Sequence, residues 1–325
     1  MSVAETEAQL DAAALLAAAR GGDGEAFRAL MAPHLPALRL HCYRMLGSLD
    51  EADDAVQESL LRAWRSLHTY RGDAPLRHWL YRITTTSSLK LIEQRGRRPV
   101  PAGEVSHLQP YPDRLLDQLP ADGADPAAII ERRETVTLAF ISALQRLPAS
   151  QRAVLILRDV LAWTAREVAE LLEVSVASVN SALQRARATL ATAAPGAGSA
   201  LSDHEQQLLR RFVDAWERCD IPALAAVLRE DVELRMPPEP SIAGRDRVTH
   251  FFATVPAHGR LDQIRLVVTG ANRQPAVAAY LRDWGERCQG YGIMVFTVAD
   301  GAISVIHGFP RPDLFDRFGL PLTVD

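Results

Sequence analysis

The sequence predicts a multidomain chain, two all-α helical units followed by an α+β unit, and three observations carry that expectation. From residue 21 to residue 190 apolar side chains recur at three- and four-residue steps, the period of amphipathic helices. Two stretches rich in proline, glycine and small residues, 99–126 and 191–203, interrupt that pattern as linkers. Beyond residue 204 two helical segments give way to strand-like runs, Val232–Met236, Ile264–Thr269, Ala276–Leu281, Tyr291–Val298 and Ala302–Phe309, with Asp300-Gly301 as a hairpin turn signal between the last two. Helices followed by a curved antiparallel sheet make an α+β plan.

Composition narrows the function classes. At 325 residues the chain has room for two or three domains, and 48% hydrophobic content suffices for packed cores. A net charge of −4 excludes a uniformly basic nucleic-acid coat protein, so any DNA contact comes from local patches. Lys90 is the sole lysine; arginine is the better bidentate donor to phosphate and base edges, although a genome-wide compositional bias explains the imbalance equally well. Cys42, Cys219 and Cys288 are odd in number and far apart, which fits reduced thiols in a cytoplasmic protein and suggests neither a disulfide framework nor a metal site. The N-terminus lacks a basic region, and its alanine-rich run is bracketed by Asp11 and Arg20, so no signal peptide or membrane span is expected. No cofactor is expected either.

Residues 1–20 read as a short helix or a frayed tail. Gly21-Gly22-Asp23-Gly24 breaks that segment, and Asp23 can cap a helix beginning near Glu25. Phe27, Leu30, Leu35, Leu38 and Tyr43 then supply apolar positions for one or two helices. The next stretch organises the chain. Ala52, Val56, Leu60, Ala63 and Leu67 form one face of a helix whose other face carries Asp50, Glu51, Asp53, Asp54, Gln57 and Glu58 in its first turns. It passes into an aromatic and basic segment in which Trp64, Tyr70, Trp79 and Tyr81 alternate with Arg65, Arg71, Arg77, Arg82, Lys90 and Arg95. Aromatic rings that stack on bases and cations that meet phosphates are what single-stranded nucleic acid requires.

Two runs in this stretch, Asp50 to Trp64 and Tyr70 to Ile83, resemble region 2 of the bacterial sigma-70 factors in their short extracytoplasmic-function (ECF) form. The resemblance implies that Asp50, Asp53, Asp54, Gln57 and Glu58 dock on the core of RNA polymerase. It also implies that Tyr70, Arg71, Arg82, Thr85, Ser88, Lys90 and Arg95 meet the promoter −10 element, with the loop from His68 to Asp73 holding a base out of the stack. The hydroxyls of Thr84 to Ser88 are expected along the DNA-facing side of the helix. Leu76, Trp79, Leu80 and Ile83 make an apolar stripe that puts Trp79 in the core.

After the proline-rich segment, Pro110-Tyr111-Pro112-Asp113 with Leu115, Leu116 and Leu119 places apolar groups in an otherwise open linker, and the expectation is that it docks on another part of the chain. Leu138, Ile141, Leu144 and Leu147 mark a helix ended by Pro148, and Ser150 is expected to cap the next. Thr164-Ala165-Arg166-Glu167 reads as a capping box before Val168, Leu171 and Leu172. The turn Glu173-Val174-Ser175 leads into a second helix from Val176 to Arg187, a helix-turn-helix with Val168, Ala169, Leu172, Val174, Val179 and Ala182 at its apolar positions. The stretch from Leu147 to Leu190 resembles sigma region 4, which implies contact with the −35 element through Ser178, Asn180, Ser181, Gln184, Arg185 and Arg187. One departure stands out: Glu173 occupies the position where many such units have glycine.

In the last unit, Leu208, Leu209, Phe212, Val213 and Trp216 mark one amphipathic helix and Ile221 to Leu228 a second. With the strand pattern these resemble the SnoaL-like cone fold, whose members include polyketide cyclases, and an ECF factor with this appendage resembles the sigma-G and sigma-J type groups, in which the extra domain is regulatory. His307, Tyr291 and Trp284 are candidate ligand-lining residues. The acidic residue that cyclases carry near the last strand is replaced here by Gly308-Phe309-Pro310, so His307 is not assigned as a catalytic residue and the chain is not expected to be an enzyme. The expected boundaries are a tail at 1–20, region 2 at 21–98, a linker at 99–126, region 4 at 127–190, a linker at 191–203 and the SnoaL-like unit at 204–325. The expected partners are core RNA polymerase and promoter DNA. The rivals are a free-standing helix-turn-helix repressor, which would have no use for the acidic helix, and a protein whose cone binds or converts a small molecule.

Overall fold

The computed structural model describes residues 3–96, 108–119, 135–193, 203–282 and 287–324. They form two compact units, Met1–Val100 with Leu144–Thr192, and Pro101–Ala143 with Ala193–Asp325. In chain order the helices up to residue 193 are α1 (Val3–Arg20), α2 (Gly24–Met31), α3 (Leu35–Leu46), α4 (Leu49–Ser66), α5 (Leu76–Gly96), α6 (Asp113–Leu116), α7 (Leu138–Gln145), α8 (Ala149–Leu155), α9 (Ala165–Leu172) and α10 (Val176–Ala193).

Local chemistry sets the ends of these helices. The Asp23 carboxylate accepts from the amides of Glu25 and Ala26, and Ser48 accepts from Glu51 N at the start of α4. α3 stops at Gly47, whose φ of 75° is left-handed. The helix after Pro148 departs from the expected cap: it begins at Ala149, and Pro148 precedes it with no side-chain cap from Ser150. α3, α4 and α5 bury Cys42, Tyr43, Met45, Leu46, Ala52, Ala55, Ala63 and Leu80 between them.

The end of α3 is closed by side chains. Its carbonyls at Arg44, Met45 and Leu46 receive Gln145 Nε2 (3.2 Å), the Arg152 guanidinium and Arg95 Nη2 (3.3 Å) respectively. Arg152 is only 5% exposed and also donates to Gln145 Oε1 and to the carbonyls of Gln145 and Leu147. The two helical segments of the sequence therefore share one compact unit.

The second unit adds α11 (Asp203–Glu217), α12 (Ile221–Ala226), α13 (Arg245–Thr254) and α14 (Leu314–Phe318) to a sheet of β1 (Leu228–Arg235), β2 (Ile242–Ala243), β3 (Ile264–Ala271), β4 (Gln274–Arg282), β5 (Cys288–Ala299), β6 (Ala302–Phe309) and β7 (Thr323–Val324). The strand order is β2-β1-β6-β5-β4-β3, with β7 on β5. β1 pairs with β6 in parallel, so the sheet is mixed where an antiparallel one was expected. Asp300 and Gly301, both at positive φ, join β5 to β6 as the sequence signal required.

Aromatic side chains fill the helix-covered face of this sheet. Phe212 lies 4.8 Å from Phe296 and Trp216 lies 5.4 Å from Phe252 between ring centroids, and all four are buried. The opposite face packs Tyr280, Ile293, Val295, Phe309, Phe315 and Phe318 with Leu138.

The segment around Tyr111 belongs to this unit. Asn272 Oδ1 accepts from Tyr111 N at 2.7 Å, Asn272 N donates to Tyr111 O at 2.8 Å, and Asn272 Nδ2 donates to Val136 O at 2.7 Å. Gln274 Oε1 accepts from Leu138 N at 2.8 Å, and Asp113 Oδ1 accepts from Arg273 N at 2.8 Å. Two buried amides at the β3–β4 turn thus hold residues 111 and 136–138.

Candidate functional site

α4 presents a stripe of Asp54, Gln57, Glu58 and Leu61, all exposed, at the i, i+3, i+4, i+7 spacing of one helix face, and half-buried Asp50 opens the same stripe. Asp53 lies off it. Its carboxylate takes Arg39 Nε at 2.7 Å within the helical unit, so it is turned to an internal partner on another helix. Glu58 accepts from Arg62 at 2.7 Å, which holds its carboxyl below the usual range. Leu61, 53% exposed, and Trp64, 37% exposed, add an apolar border to this acidic surface.

The loop after α4 is closed by Tyr70, whose hydroxyl donates to Ala74 O at 2.8 Å and whose ring packs 5.5 Å from Trp79. Trp79 is half-buried there rather than fully in the core. Arg71 and Lys90 are exposed and have no ion pair among the described residues. Arg82, also exposed, donates to Glu170 O at 3.3 Å, and next to it His78 stacks on Trp163 at 4.9 Å.

Three of the expected −10 residues point the other way. Thr85 is fully buried with its hydroxyl 2.9 Å from His41 Nε2, and Ser88 is fully buried beside Cys42. Arg95 is paired with Glu51 on α4. The reason is helical phase: Thr84, Thr85, Ser87 and Ser88 fall on the side of α5 that packs on α3, which leaves Thr86 as the exposed hydroxyl of that run. Of these, Thr84 bonds back to Leu80 O at 3.0 Å and is satisfied without solvent, whereas the buried Ser87 hydroxyl has no hydrogen-bond partner among the described residues.

In the helix-turn-helix, Thr164 and Glu167 form the reciprocal capping box that the sequence signalled. Glu173 adopts φ 56°, ψ 43°, the left-handed conformation that glycine usually supplies, and both its amide and that of Val174 donate to Ala169 O. Ser175 starts α10, accepting from Ser178 N at 3.1 Å. Val179, Ala182, Leu183 and Ala186 are buried, which turns Asn180, Ser181, Gln184 and Arg185 outward as an open polar face. Ser178 is exposed, but its hydroxyl lies 2.8 Å from that of Ser175. Arg187 makes a two-pronged pair with Asp159 at 2.7 and 2.9 Å; it ties α10 to the preceding segment and is withdrawn from the expected reading set. Val174, expected among the inward apolar positions, is 45% exposed, and Val176 is 44% exposed.

The ligand-lining expectation in the last unit meets a similar correction. β6 carries one extra residue, Ser304, between the pairs Thr297↔Val305 and Val298↔Ile303, and this bulge reverses the face presented after it. Ile303 and Ile306 thus join the helix-covered core, whereas His307 stacks on Phe309 and pairs across from Val295 on the opposite face. Burial, with the Arg235 charge adding, pushes the His307 imidazole down to about 3, and its Nδ1 has no hydrogen-bond partner among the described residues. Tyr291 stands in a bulge of β5 and is 51% exposed to solvent. Trp284 lies outside the described residues.

The sequence reading missed Gln145 and Arg152 at the end of α3, and Asn272 and Gln274 at the β3–β4 turn. Their signals were non-local, because a side chain that caps a distant carbonyl leaves no period in the sequence.

Comparison with known proteins gives the family of each segment. Residues 30–98 match the model of sigma-70 region 2, residues 137–190 that of sigma-70 region 4, and residues 209–306 that of the SnoaL-like domain. The ECF RNA polymerase sigma factor SigG of Mycobacterium tuberculosis is 40% identical over 324 residues, covering 93% of this chain and 85% of its own. SigJ of the same organism is 29% identical over 307 residues, covering 88% and 93%. The crystal structure of M. tuberculosis SigJ superposes with a TM-score of 0.62 at 24% identity, covering 89% of this chain and 98% of that one. The chain belongs to the ECF sigma factors of the sigma-70 family. It is an alternative sigma factor that directs transcription and carries a SnoaL-like domain. Among the described residues no helix is long and apolar enough to cross a membrane.

Proposed function

We propose that the stripe Asp50–Asp54–Gln57–Glu58–Leu61 docks on core RNA polymerase, that the Tyr70–Arg71 loop with Lys90 grips the −10 element, and that α10 reads the −35 element through Asn180, Ser181, Gln184 and Arg185. The boundaries are those of the sequence reading, 21–98, 127–190 and 204–325. The carrying observation is the outward acidic stripe of α4, which the fold leaves uncovered by any described ion pair at Asp54. A negative surface with an apolar border suits a protein partner and repels phosphate, so its purpose is not DNA.

The third unit regulates the sigma factor by holding the linker. Supporting this are the hydrogen bonds of Asn272 and Arg273 to residues 111 and 113 of the linker and of Gln274 to Leu138 at the start of α7, because a linker held within itself and just beyond its end reaches less far than a free one. A non-enzymatic role is supported by the aromatic filling of the helix-covered face, where Phe212, Trp216, Phe252 and Phe296 pack together. The protein works in the cytoplasm, where its polymerase is.

The shared helical unit carries a further consequence. The −10 and −35 elements lie about 25 base pairs apart, about 85 Å at 3.4 Å per pair. A compact unit of roughly 150 residues has a radius of gyration of only about 15 Å. The two helical segments therefore separate on the promoter, releasing Arg152 and Gln145 from α3 and Arg82 from Glu170. The test of the whole reading is binding of the purified chain to sigma-free core polymerase. Tight association that is lost in an Asp54→Lys, Glu58→Lys variant supports it, and undiminished association removes α4 as the docking helix.

A further inference from the structure

The first turn of α10 is apolar where it meets solvent. Val176 is the first residue of the helix and 44% exposed, Ala177 is exposed beside it, and Ser178 is drawn back to the Ser175 hydroxyl. In helix-turn-helix docking the N-terminal residues of the second helix reach the base edges in the major groove. Here that position holds two apolar side chains, with Asn180, Ser181, Gln184 and Arg185 exposed further along the same helix.

Val176 and Asn180 are four residues apart, hence neighbours on the helix surface and about 6 Å apart along its axis. That separation is about two base-pair steps of 3.4 Å. Asparagine takes the N6 and N7 edge of adenine, whereas the 5-methyl of thymine is the apolar group on the major-groove edges and is met by apolar side chains.

We infer that Val176, with the Ala177 methyl beside it, is a specificity-determining residue that reads the 5-methyl group of a thymine within about two base pairs of the adenine paired with Asn180. The inference rests on the −35 reading proposed above. It adds the chemical group recognised, and it accounts for a β-branched apolar residue on the solvent side of a DNA-reading helix.

The experiment uses the full chain bound to sigma-free core polymerase. A preferred −35 element is selected from a randomised duplex library, and each thymine in it is then replaced by deoxyuridine, which removes the methyl and nothing else. At one position the wild-type holoenzyme binds about fourfold more weakly, the effect of losing one buried methyl. The Val176→Ser variant binds the thymine and deoxyuridine duplexes equally, with an unchanged thermal unfolding curve because the residue is exposed.

The inference is overturned if no deoxyuridine substitution weakens binding, or if Val176→Ser keeps the thymine preference. It is equally overturned if Val176→Ser lowers core binding in the absence of DNA, which would make the valine a protein contact. Asn180→Ala and Arg185→Ala separate the two levels of the argument. If they weaken −35 binding while deoxyuridine does not, Val176 alone is misassigned; if they too change nothing, the helix-turn-helix reading fails.

Discussion

Asp53 and Asp54 are adjacent in the sequence and face different partners. Asp54 points outward from α4, whereas Asp53 is held by Arg39 at 2.7 Å. Reversing the charge of Asp54 should therefore weaken polymerase binding at unchanged stability, while Asp53→Ala should lower the unfolding temperature; equal melting curves for the two variants would contradict that division. Arg185, exposed on the reading face, should behave as a phosphate or base-edge cation: Arg185→Ala weakens −35 binding and lowers the salt slope by about one, and an unaltered slope takes it out of the interface. Buried histidines set the acid limit of the fold. Burial pushes His41 and His307 down to about 3, so both are neutral in the folded chain and take up protons only on unfolding. Their contribution to stability is complete above pH 6.5 and is lost as pH falls from there towards 3. Unfolding titrations of His307→Gln should show a shallower loss across that window than the wild type, and identical slopes would mean that the imidazole titrates normally.

At the scale of elements, what was legible in the sequence was local. The capping box at Thr164, the Asp23 cap, the Asp300-Gly301 turn and the amphipathic stripes of α4 and α11 each depend on residues within one or two turns, and all stand as read. What escaped depends on distant residues or on phase. The Thr84–Ser88 run looked DNA-facing because hydroxyls are polar, yet its phase on α5 buries it against α3. Strict alternation along β6 would set His307 on the face of Ile303, and the single extra residue at Ser304 reverses it. α13 was unread because Arg245–Thr254 mixes charged and aromatic residues without a clean stripe. Asn272 illustrates a non-local element: its side chain satisfies Tyr111 N and Val136 O, and Asn272→Ala would leave both buried groups unpaired at a cost of about 3 kcal/mol. Faster hydrogen exchange at the Tyr111 amide in that variant is the expected readout, and unchanged protection would show that the turn does not hold the linker.

For the whole molecule, the sigma-70 family matches fall on the helical segments, and the control proposed above falls to the sheet unit. Separation of the helical segments predicts that a pair of spin labels at positions 71 and 185 moves apart when core polymerase and promoter DNA are added together; a constant distance would mean that the compact helical unit persists on the promoter. The linker clamp predicts that its loss alters promoter output without altering the helical unit. Both ideas converge on start-site-specific RNA synthesis by sigma-free core polymerase supplied with the wild-type chain or with Asn272→Ala. The account predicts discrete transcripts with the wild-type chain and a changed yield of the same transcripts with the variant. The absence of any discrete start site would contradict the proposed docking and reading surfaces, and equal yields would contradict control through the linker.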